Sequence, residues 1–135
     1  MKLIFATHNK HKVEEIRSVL GAGPEVISLD EAGIHDEIPE PFDTLEENAT
    51  EKSRYIFQLT GENCFSEDTG LEVGALGGAP GARSARYGGD ERSFDRNMDK
   101  LLREMEGILN RKARFRTVIS LIIEGKETLF EGICE

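Results

Sequence analysis

The sequence predicts an α/β fold in which helices flank a mixed β-sheet. Apolar stretches alternate between strand-like and helix-like spacing over the first two thirds of the chain, which is typical of parallel β-α-β units. A further helix and a terminal hairpin follow, and a hairpin adds antiparallel strands to such a sheet. With 135 residues, we expect one domain that spans residues 1–135.

The first strand and helix are predicted from the N-terminal apolar run. Lys2–Ala6 is typical of a buried strand, and it ends at the helix-starting residues Thr7–Asn9. The helix is expected to end at Gly21 and to pack one apolar face on the sheet. That face contains Val13, Ile16, Val19 and Leu20. Val26–Leu29 is the second predicted strand.

The middle of the chain predicts a loop, a helix and a third strand. Residues 34–42 contain two prolines and are expected to form the loop. Thr44 and Glu47 have the spacing of a capping box. The helix after them has a stripe formed by Leu45, Ala49, Lys52, Ile56 and Leu59. Cys64–Ser66 is predicted as a short strand that leads into Glu67–Gly70.

The last third predicts a glycine-rich loop, a helix and a hairpin. Residues 70–89 hold seven of the 14 glycines. Ser93 is expected to cap a helix that ends at Gly107. Its apolar side contains Phe94, Met98, Leu101, Leu102 and Met105. Arg114–Ile123 and Thr128–Cys134 are the two predicted hairpin strands.

Charge and cysteine content exclude several classes of function. The 26 acidic and 17 basic residues give a net charge of -9, which repels nucleic acid and anionic membranes. A small anionic ligand that arrives with Mg²⁺ or binds a local basic pocket is still compatible with this charge. Cys64 and Cys134 lack zinc-site spacing, and a reduced, cytoplasmic compartment is expected. No apolar run approaches the ~18 residues of a membrane span.

The pattern Thr7-x-Asn9-x-x-Lys12 lies where the first strand becomes a helix. The first amides of a helix lack intrahelical partners and lie at the positive end of its dipole, so they can bind an anion. Lys12 would lean back over the same point. Alternatively, Thr7 or Asn9 only caps the helix and Lys12 is a solvated charge.

Three acidic residues and one lysine are further candidates. Lys52 lies on the apolar stripe, where an unpaired charge is costly, so we expect it to have an anionic partner. Alternatively, its aliphatic stem only covers apolar surface and its ammonium reaches solvent. Glu67 and Asp68 follow a buried strand and are suited to Mg²⁺ with a phosphate substrate, although Asp68 could instead only stabilise a turn. Glu40 between two prolines is either a ligand or a surface residue.

Taken in order, these motifs resemble the inosine triphosphate pyrophosphatases, the family that acts on deaminated purine (ITP/XTP) nucleotides. The resemblance runs from Met1 to Glu135 and rests on four ordered segments. They are Thr7–Lys12, Thr44-x-x-Glu47-Asn48-Ala49-x-x-Lys52, Ser66–Leu71, and Leu76–Gly81 with Ser84–Tyr87.

The resemblance implies a two-lobed α/β fold and a homodimer. The implied reaction is Mg²⁺-dependent hydrolysis of a purine nucleoside triphosphate (ITP, dITP or XTP) to the monophosphate and pyrophosphate, which protects nucleotide pools. Asp68 matches the general base and metal-linked acid, Glu40 a metal ligand, Lys52 a phosphate-facing lysine, and Thr69 a substrate contact. The triphosphate loop comprises Thr7, His8, Asn9, Lys10, His11 and Lys12.

The chain also departs from the family. The G-F-G-Y-D-P-type and S-H-R segments that contact the purine base do not occur, and the sequence stops inside a predicted strand at Phe130–Glu135. We therefore expect the C-terminal base-recognition part to be missing. Three alternatives stay open: a Maf-like nucleotide pyrophosphatase, an inactive nucleotide- or Mg²⁺-binding fragment, and an interaction domain without a ligand.

Overall fold

A mixed β-sheet forms the centre of the molecule. The computed structural model describes residues 1–82, 84, 94–110 and 112–134, and within them six strands share one sheet. They are β1 (Lys2–Phe5), β2 (Glu25–Ile27), β3 (Cys64–Val73), β4 (Pro80–Gly81), β5 (Ala113–Ile123) and β6 (Lys126–Cys134). The order is β2-β1-β3-β5-β6, with β4 paired to β3. β1 is parallel to β2 and β3, whereas β4, β5 and β6 are antiparallel to their neighbours, so the predicted mixed α/β fold is confirmed.

Helices cover both faces of this sheet. α1 (Lys10–Leu20) packs on one face and α2 (Leu45–Thr60) on the other, and a third helix, α3 (Phe94–Glu104), precedes β5. Successive strand residues point to opposite faces, so β1 contributes to two apolar clusters. The cluster under α1 contains Leu3, Phe5, Val13, Val26 and Phe65. The cluster under α2 contains Ile4, Ala6, Leu29, Ile34, Ile56, Cys64 and Ile122. None of the described helices is both long enough and apolar enough to cross a bilayer.

Helix α1 packs on the sheet through Val13 and Ile16 but not through the apolar residues of its last turn. It begins after the cap Asn9 and ends at Gly21, as predicted. Val13 is buried, but Val19 is 80% exposed and Leu20 is also exposed, so the prediction that they share the buried face was wrong. Arg17 takes their place beside the edge strand β2, because its guanidinium donates to the Val26 carbonyl at 2.8 and 3.2 Å.

Helix α2 carries the predicted buried stripe except at its last turn. Thr44 accepts a hydrogen bond from the Glu47 amide at 3.1 Å, and its hydroxyl donates to the Glu47 carboxylate, so the two residues do cap the helix together. Leu59 is 53% exposed, contrary to prediction. Phe57 packs on the core instead and contacts the hairpin turn at Gly125.

The third strand is the main correction to the predicted fold. The strand was expected to span only Cys64–Ser66, but β3 continues to Val73 because β5 pairs with it residue by residue along its whole length. Gly70 therefore lies inside a strand. A Cβ at this position would collide with the carbonyl oxygen of Gly81, so glycine allows β4 to lie beside β3.

In the C-terminal half, the hairpin agrees with prediction, whereas the packing of the helix before it agrees only in part. The hairpin strands β5 and β6 join through a two-residue turn at Glu124–Gly125, where both residues have positive φ. On α3, Met98 and Leu102 are exposed although they were predicted on a packed face, and Met105 just after the helix is buried. The predicted cap Ser93, the Phe94 side chain and the segment 85–87 lie outside the described residues.

Arg116 of β5 connects the start of α2 to the sheet through ion pairs. This residue of β5 donates hydrogen bonds to Glu72 of β3, Glu131 of β6 and Glu46 in the first turn of α2. Three carboxylates around one guanidinium raise the pKa of Arg116, so it stays charged. The ion-paired Arg116 is only 13% exposed, and its bond to Glu46 connects the first turn of α2 to β5.

Candidate active site

The candidate site lies where β1 stops and β3 continues. β1 pairs with β3 only at Cys64 and Phe65, after which the chain leaves the sheet to begin α1. Beyond Phe65, this edge of β3 faces the start of α1 and the middle of α2. Such a point, at the carboxyl end of a parallel strand, is where open α/β sheets commonly bind ligands.

Alternation along β3 separates the two neighbouring carboxylates. Glu67 projects toward α1, where it meets Lys12, and Asp68 projects toward α2, where it meets Lys52. Both residues were expected just after the end of the strand, and the structure places both within it. Their side chains therefore belong to two different charge clusters that share one stretch of backbone.

The first cluster, here called the Lys52 cluster, consists of Glu40, Lys52 and Asp68. The Lys52 ammonium donates to the Glu67 carbonyl oxygen at 2.7 Å and lies 2.9 Å from Glu40 Oε1 and 3.9 Å from Asp68 Oδ1. Lys52 is 7% exposed, so its predicted burial and need for an acidic partner are confirmed. Two carboxylates around one ammonium leave the cluster with an excess of negative charge.

Burial perturbs the Asp68 carboxyl of this cluster. It raises the pKa of Asp68 to about 6, against smaller lowering effects of Lys52 and Asn48, while the nearby Glu40 and Glu67 charges raise it further. Asp68 Oδ2 is buried and has no hydrogen-bond partner among the described residues. A buried carboxylate oxygen without a donor is costly, and in a cleft it indicates a group prepared for a ligand.

The second cluster links Lys12 to β5. The Lys12 ammonium contacts both oxygens of Glu67, at 2.9 and 3.1 Å. The Thr69 hydroxyl donates to the same carboxylate and lies 2.8 Å from the Thr117 hydroxyl. The Thr69 hydroxyl thus supports Glu67, and its predicted contact with the substrate stays a prediction.

The start of α1 contains both capping contacts and open amides. Asn9 accepts from the Lys12 amide at 3.2 Å, and Thr7 accepts from the Asn9 amide at 3.1 Å, so both residues stabilise the helix start. The amides of Lys10 and His11 have no acceptor in the described part of the chain. Capping and anion binding are therefore compatible here, since each uses different amides.

Not every predicted loop residue lies near the two clusters. His8 is exposed and donates from Nε2 to the Asp36 carbonyl oxygen at 2.6 Å, and the Lys10 and His11 side chains are exposed as well. None of these three side chains contacts Glu40, Lys52 or Asp68 among the described contacts. Their role in binding phosphate stays a prediction.

Sequence reasoning missed three residues that the structure connects to the site. They are Glu67 as the partner of Lys12, Thr117 on β5, and Asn48 on α2. Asn48 left a signal, because it lies three residues after Leu45 and four before Lys52, on the buried stripe. Glu67 and Thr117 could not be found this way, because their contacts depend on the pairing of β3 with β5.

The residues present fit a Mg²⁺ ion bound together with phosphate. No group of three or more His, Cys, Asp or Glu side chains placed to hold a metal occurs among the described residues. Mg²⁺ in phosphate-handling sites commonly uses only one or two carboxylates, with the remaining ligands from water and substrate. Glu40 and the unpartnered Oδ2 of Asp68 supply that donor set.

Fold and site together define an α/β protein with paired acidic and basic side chains, suited to a polyphosphate and a divalent cation. Comparison with known proteins agrees with this class. The Ham1 family model matches residues 3–135, and the chain belongs to the Ham1 family. This membership favours the inosine triphosphate pyrophosphatase resemblance over the Maf-like alternative.

Relatives with assigned names match along the whole chain. A dITP/XTP pyrophosphatase of Flavobacterium johnsoniae is 47% identical over 135 residues, which cover 100% of this chain and 70% of the relative. A dITP/XTP pyrophosphatase of Porphyromonas gingivalis is 48% identical and has the same 70% of its length covered. The Staphylococcus aureus Ham1 protein structure superposes with a TM-score of 0.89 at 32% identity, over 98% of this chain and 69% of that one.

Proposed function

We propose that the protein hydrolyses deaminated purine nucleoside triphosphates, such as ITP, dITP and XTP, between the α and β phosphates. The products are the nucleoside monophosphate and pyrophosphate. The observation that carries the proposal is the Lys52 cluster, a buried lysine between two carboxylates, in a Ham1-family chain whose 47–48% identical relatives are named dITP/XTP pyrophosphatase.

The two lysines supply the positive charge that a triphosphate requires. In the structure each is paired with an acid, Lys12 with Glu67 and Lys52 with Glu40. Phosphate oxygens would compete for both ammonium groups, and the open amides of Lys10 and His11 would add donors at the positive end of α1. Phosphoryl chemistry depends mainly on such positioning and charge neutralisation.

Mg²⁺ is the cofactor we propose, held by Glu40 and Asp68. When bound, it would neutralise phosphate charge and lower the pKa of a coordinated water. The net charge of -9 supports a metal requirement, since the bare substrate would be repelled. Lys52 would then leave part of its contact with the two carboxylates and turn toward phosphate.

Asp68 is the proposed general base. Its pKa of about 6 leaves it ionised at neutral pH and still basic enough to take a proton from water, the range in which general bases work best. Thr69 follows it on β3, and we propose that its hydroxyl contacts the substrate when Glu67 releases Lys12. The resemblance further implies a homodimer, which sedimentation velocity would test.

Product analysis over a panel of nucleotides tests the proposal. ITP, dITP, XTP, GTP and ATP would each be incubated with the protein and Mg²⁺, and the phosphorus products resolved by ³¹P NMR. We expect pyrophosphate and monophosphate from ITP, dITP or XTP. Release of orthophosphate and the diphosphate would contradict the proposed bond cleavage. Nucleotide binding without any turnover would instead favour the inactive-fragment alternative.

A further inference from the structure

Asn48 is a buried polar residue close to Asp68 of the Lys52 cluster, and its side-chain amide lowers the pKa of that carboxyl. It lies in the second turn of α2 and is 1% exposed. Its Oδ1 accepts from the Phe42 amide and its Nδ2 donates to the Phe42 carbonyl oxygen, both at 3.0 Å. A side-chain amide that bonds both backbone groups of one residue fixes that residue in position and orientation, as strand pairing does.

Phe42 ends the loop that carries Glu40. Pro39 and Pro41 flank Glu40, and proline fixes its own φ and restricts the residue before it to extended conformations. Few backbone rotations therefore separate the fixed Phe42 from the Glu40 side chain. A bond to Phe42 is for this reason also a restraint on where the Glu40 carboxylate lies.

The restraint on Phe42 directs the Glu40 carboxylate toward Lys52 and Asp68, the other two members of the Lys52 cluster. Asn48 precedes Lys52 by four residues, so the two side chains lie on the same face of α2. The same face of α2 therefore binds the Glu40 loop through Asn48 and carries Lys52, whose ammonium lies 2.9 Å from Glu40 Oε1. Asp68 borders the same place from β3.

We infer that Asn48 is a positioning residue for metal binding: by holding Phe42, it sets the Glu40 carboxylate opposite Asp68. The inference rests on the proposed function, because it assumes that Glu40 and Asp68 hold a divalent cation. The competing explanation is that Asn48 only satisfies buried backbone groups and stabilises the fold. Residues that orient a metal ligand typically change metal affinity about 10–100-fold when removed.

Ser53 provides a matched control on the same helix. It is 0% exposed and, like Asn48, uses its side chain in buried hydrogen bonds, to Ser120 at 2.7 Å and to the Thr50 carbonyl at 3.1 Å. These bonds face the sheet and have no contact with the Glu40 loop. Ser53→Ala therefore removes buried hydrogen bonding from α2 without releasing Phe42.

The test compares Asn48→Ala with Ser53→Ala in two measurements without nucleotide. Hydrogen exchange of the Phe42 amide in the metal-free protein reports the restraint, and Mn²⁺ binding followed by EPR reports the affinity of the site. We expect Asn48→Ala to lose protection at Phe42 and to bind Mn²⁺ at least about tenfold more weakly. Ser53→Ala should match the wild type in both. If Asn48→Ala does not fold, Asn48→Gln displaces the amide by one methylene and should weaken Mn²⁺ binding in the same way.

The outcomes separate this inference from the proposed function. Equal Mn²⁺ affinity in Asn48→Ala and Ser53→Ala, with a wild type that binds Mn²⁺, would overturn the inference alone. Equal weakening in both variants would also overturn it, since the effect would then come from general destabilisation. A wild type that binds no Mn²⁺ would overturn the proposed metal site and the inference with it.

Discussion

Replacement of Asp68 by asparagine should make the metal-free protein more stable. Asp68 is buried with one oxygen unpartnered, and its pKa is raised from the ordinary 3.8 to about 6. At neutral pH the Asp68 carboxylate is therefore ionised at a higher free-energy cost in the folded protein than in the unfolded chain, which lowers the stability of the fold. Asparagine has nearly the same shape as the protonated acid and carries no charge, so Asp68→Asn removes this cost.

The size of the effect follows from the pKa difference. A shift of roughly two units at about 1.4 kcal/mol per unit gives a gain of about 3 kcal/mol for Asp68→Asn at pH 7. Between pH 3.8 and 6 the folded state keeps a proton that the unfolded chain releases, so wild-type stability falls as pH rises through this window. The variant has no such titration. The gain should therefore be near zero below pH 4, grow through the window and stay constant above it.

Urea unfolding in excess chelator at several pH values measures this gain. Asp30→Asn is the control, because Asp30 is an exposed aspartate whose side chain is 61% accessible and should give little change. An Asp68→Asn variant that is no more stable than wild type at pH 7 would refute the claim that the Asp68 charge destabilises the fold. A gain of the same size at pH 3.5 and pH 7 would also refute it, since the cause would not be ionisation.

Three further predictions concern the metal, pH and packing. Pyrophosphate release should fall to background in excess chelator and return with added Mg²⁺; full activity in chelator would contradict the metal role of Glu40 and Asp68. Because Asp68 must be ionised to act as a base, kcat/KM should fall about tenfold per pH unit below about pH 6, and a profile that stays flat to pH 5 would exclude it. Gly70→Ala should lower the free energy of unfolding in urea by about 1–3 kcal/mol, because the new Cβ meets the Gly81 carbonyl. Gly132→Ala has open space around it and should lower it by less than about 1 kcal/mol. Equal losses in the two variants would disprove the close approach of β4 to β3.

Local signals in the sequence were sufficient for most of the fold. Strong capping and turn residues predicted where α1 and α2 begin and where the hairpin turns, at Glu124–Gly125. The prediction that the strand ends at Ser66 was wrong, because the polar residues and glycine at 67–70 are typical of a loop. Their true state is decided by β5, which pairs with them from more than 40 residues away. Burial of Val19 and Leu59 was also mispredicted, because periodicity cannot show where a helix extends past its sheet.

Part of the candidate site was predictable for a similar reason. A lysine on an apolar stripe is a local anomaly, so Lys52 could be found from α2 alone. Its partners could not be assigned from spacing, since Glu40 lies in an irregular loop and Asp68 on a different strand. The pairing of Lys12 with Glu67, 55 residues apart, required the fold. Resemblance to a family supplied the candidates, and the structure supplied their contacts.

Hydrolysis of XTP by the wild type and Asp68→Asn, at saturating Mg²⁺ and pH 7.5, tests the central claim most directly. The account predicts XMP and pyrophosphate from the wild type and a rate about 10²–10⁴-fold lower from the folded variant, the usual contribution of a general base. Equal rates from the two proteins, or XDP and orthophosphate from the wild type, would contradict it.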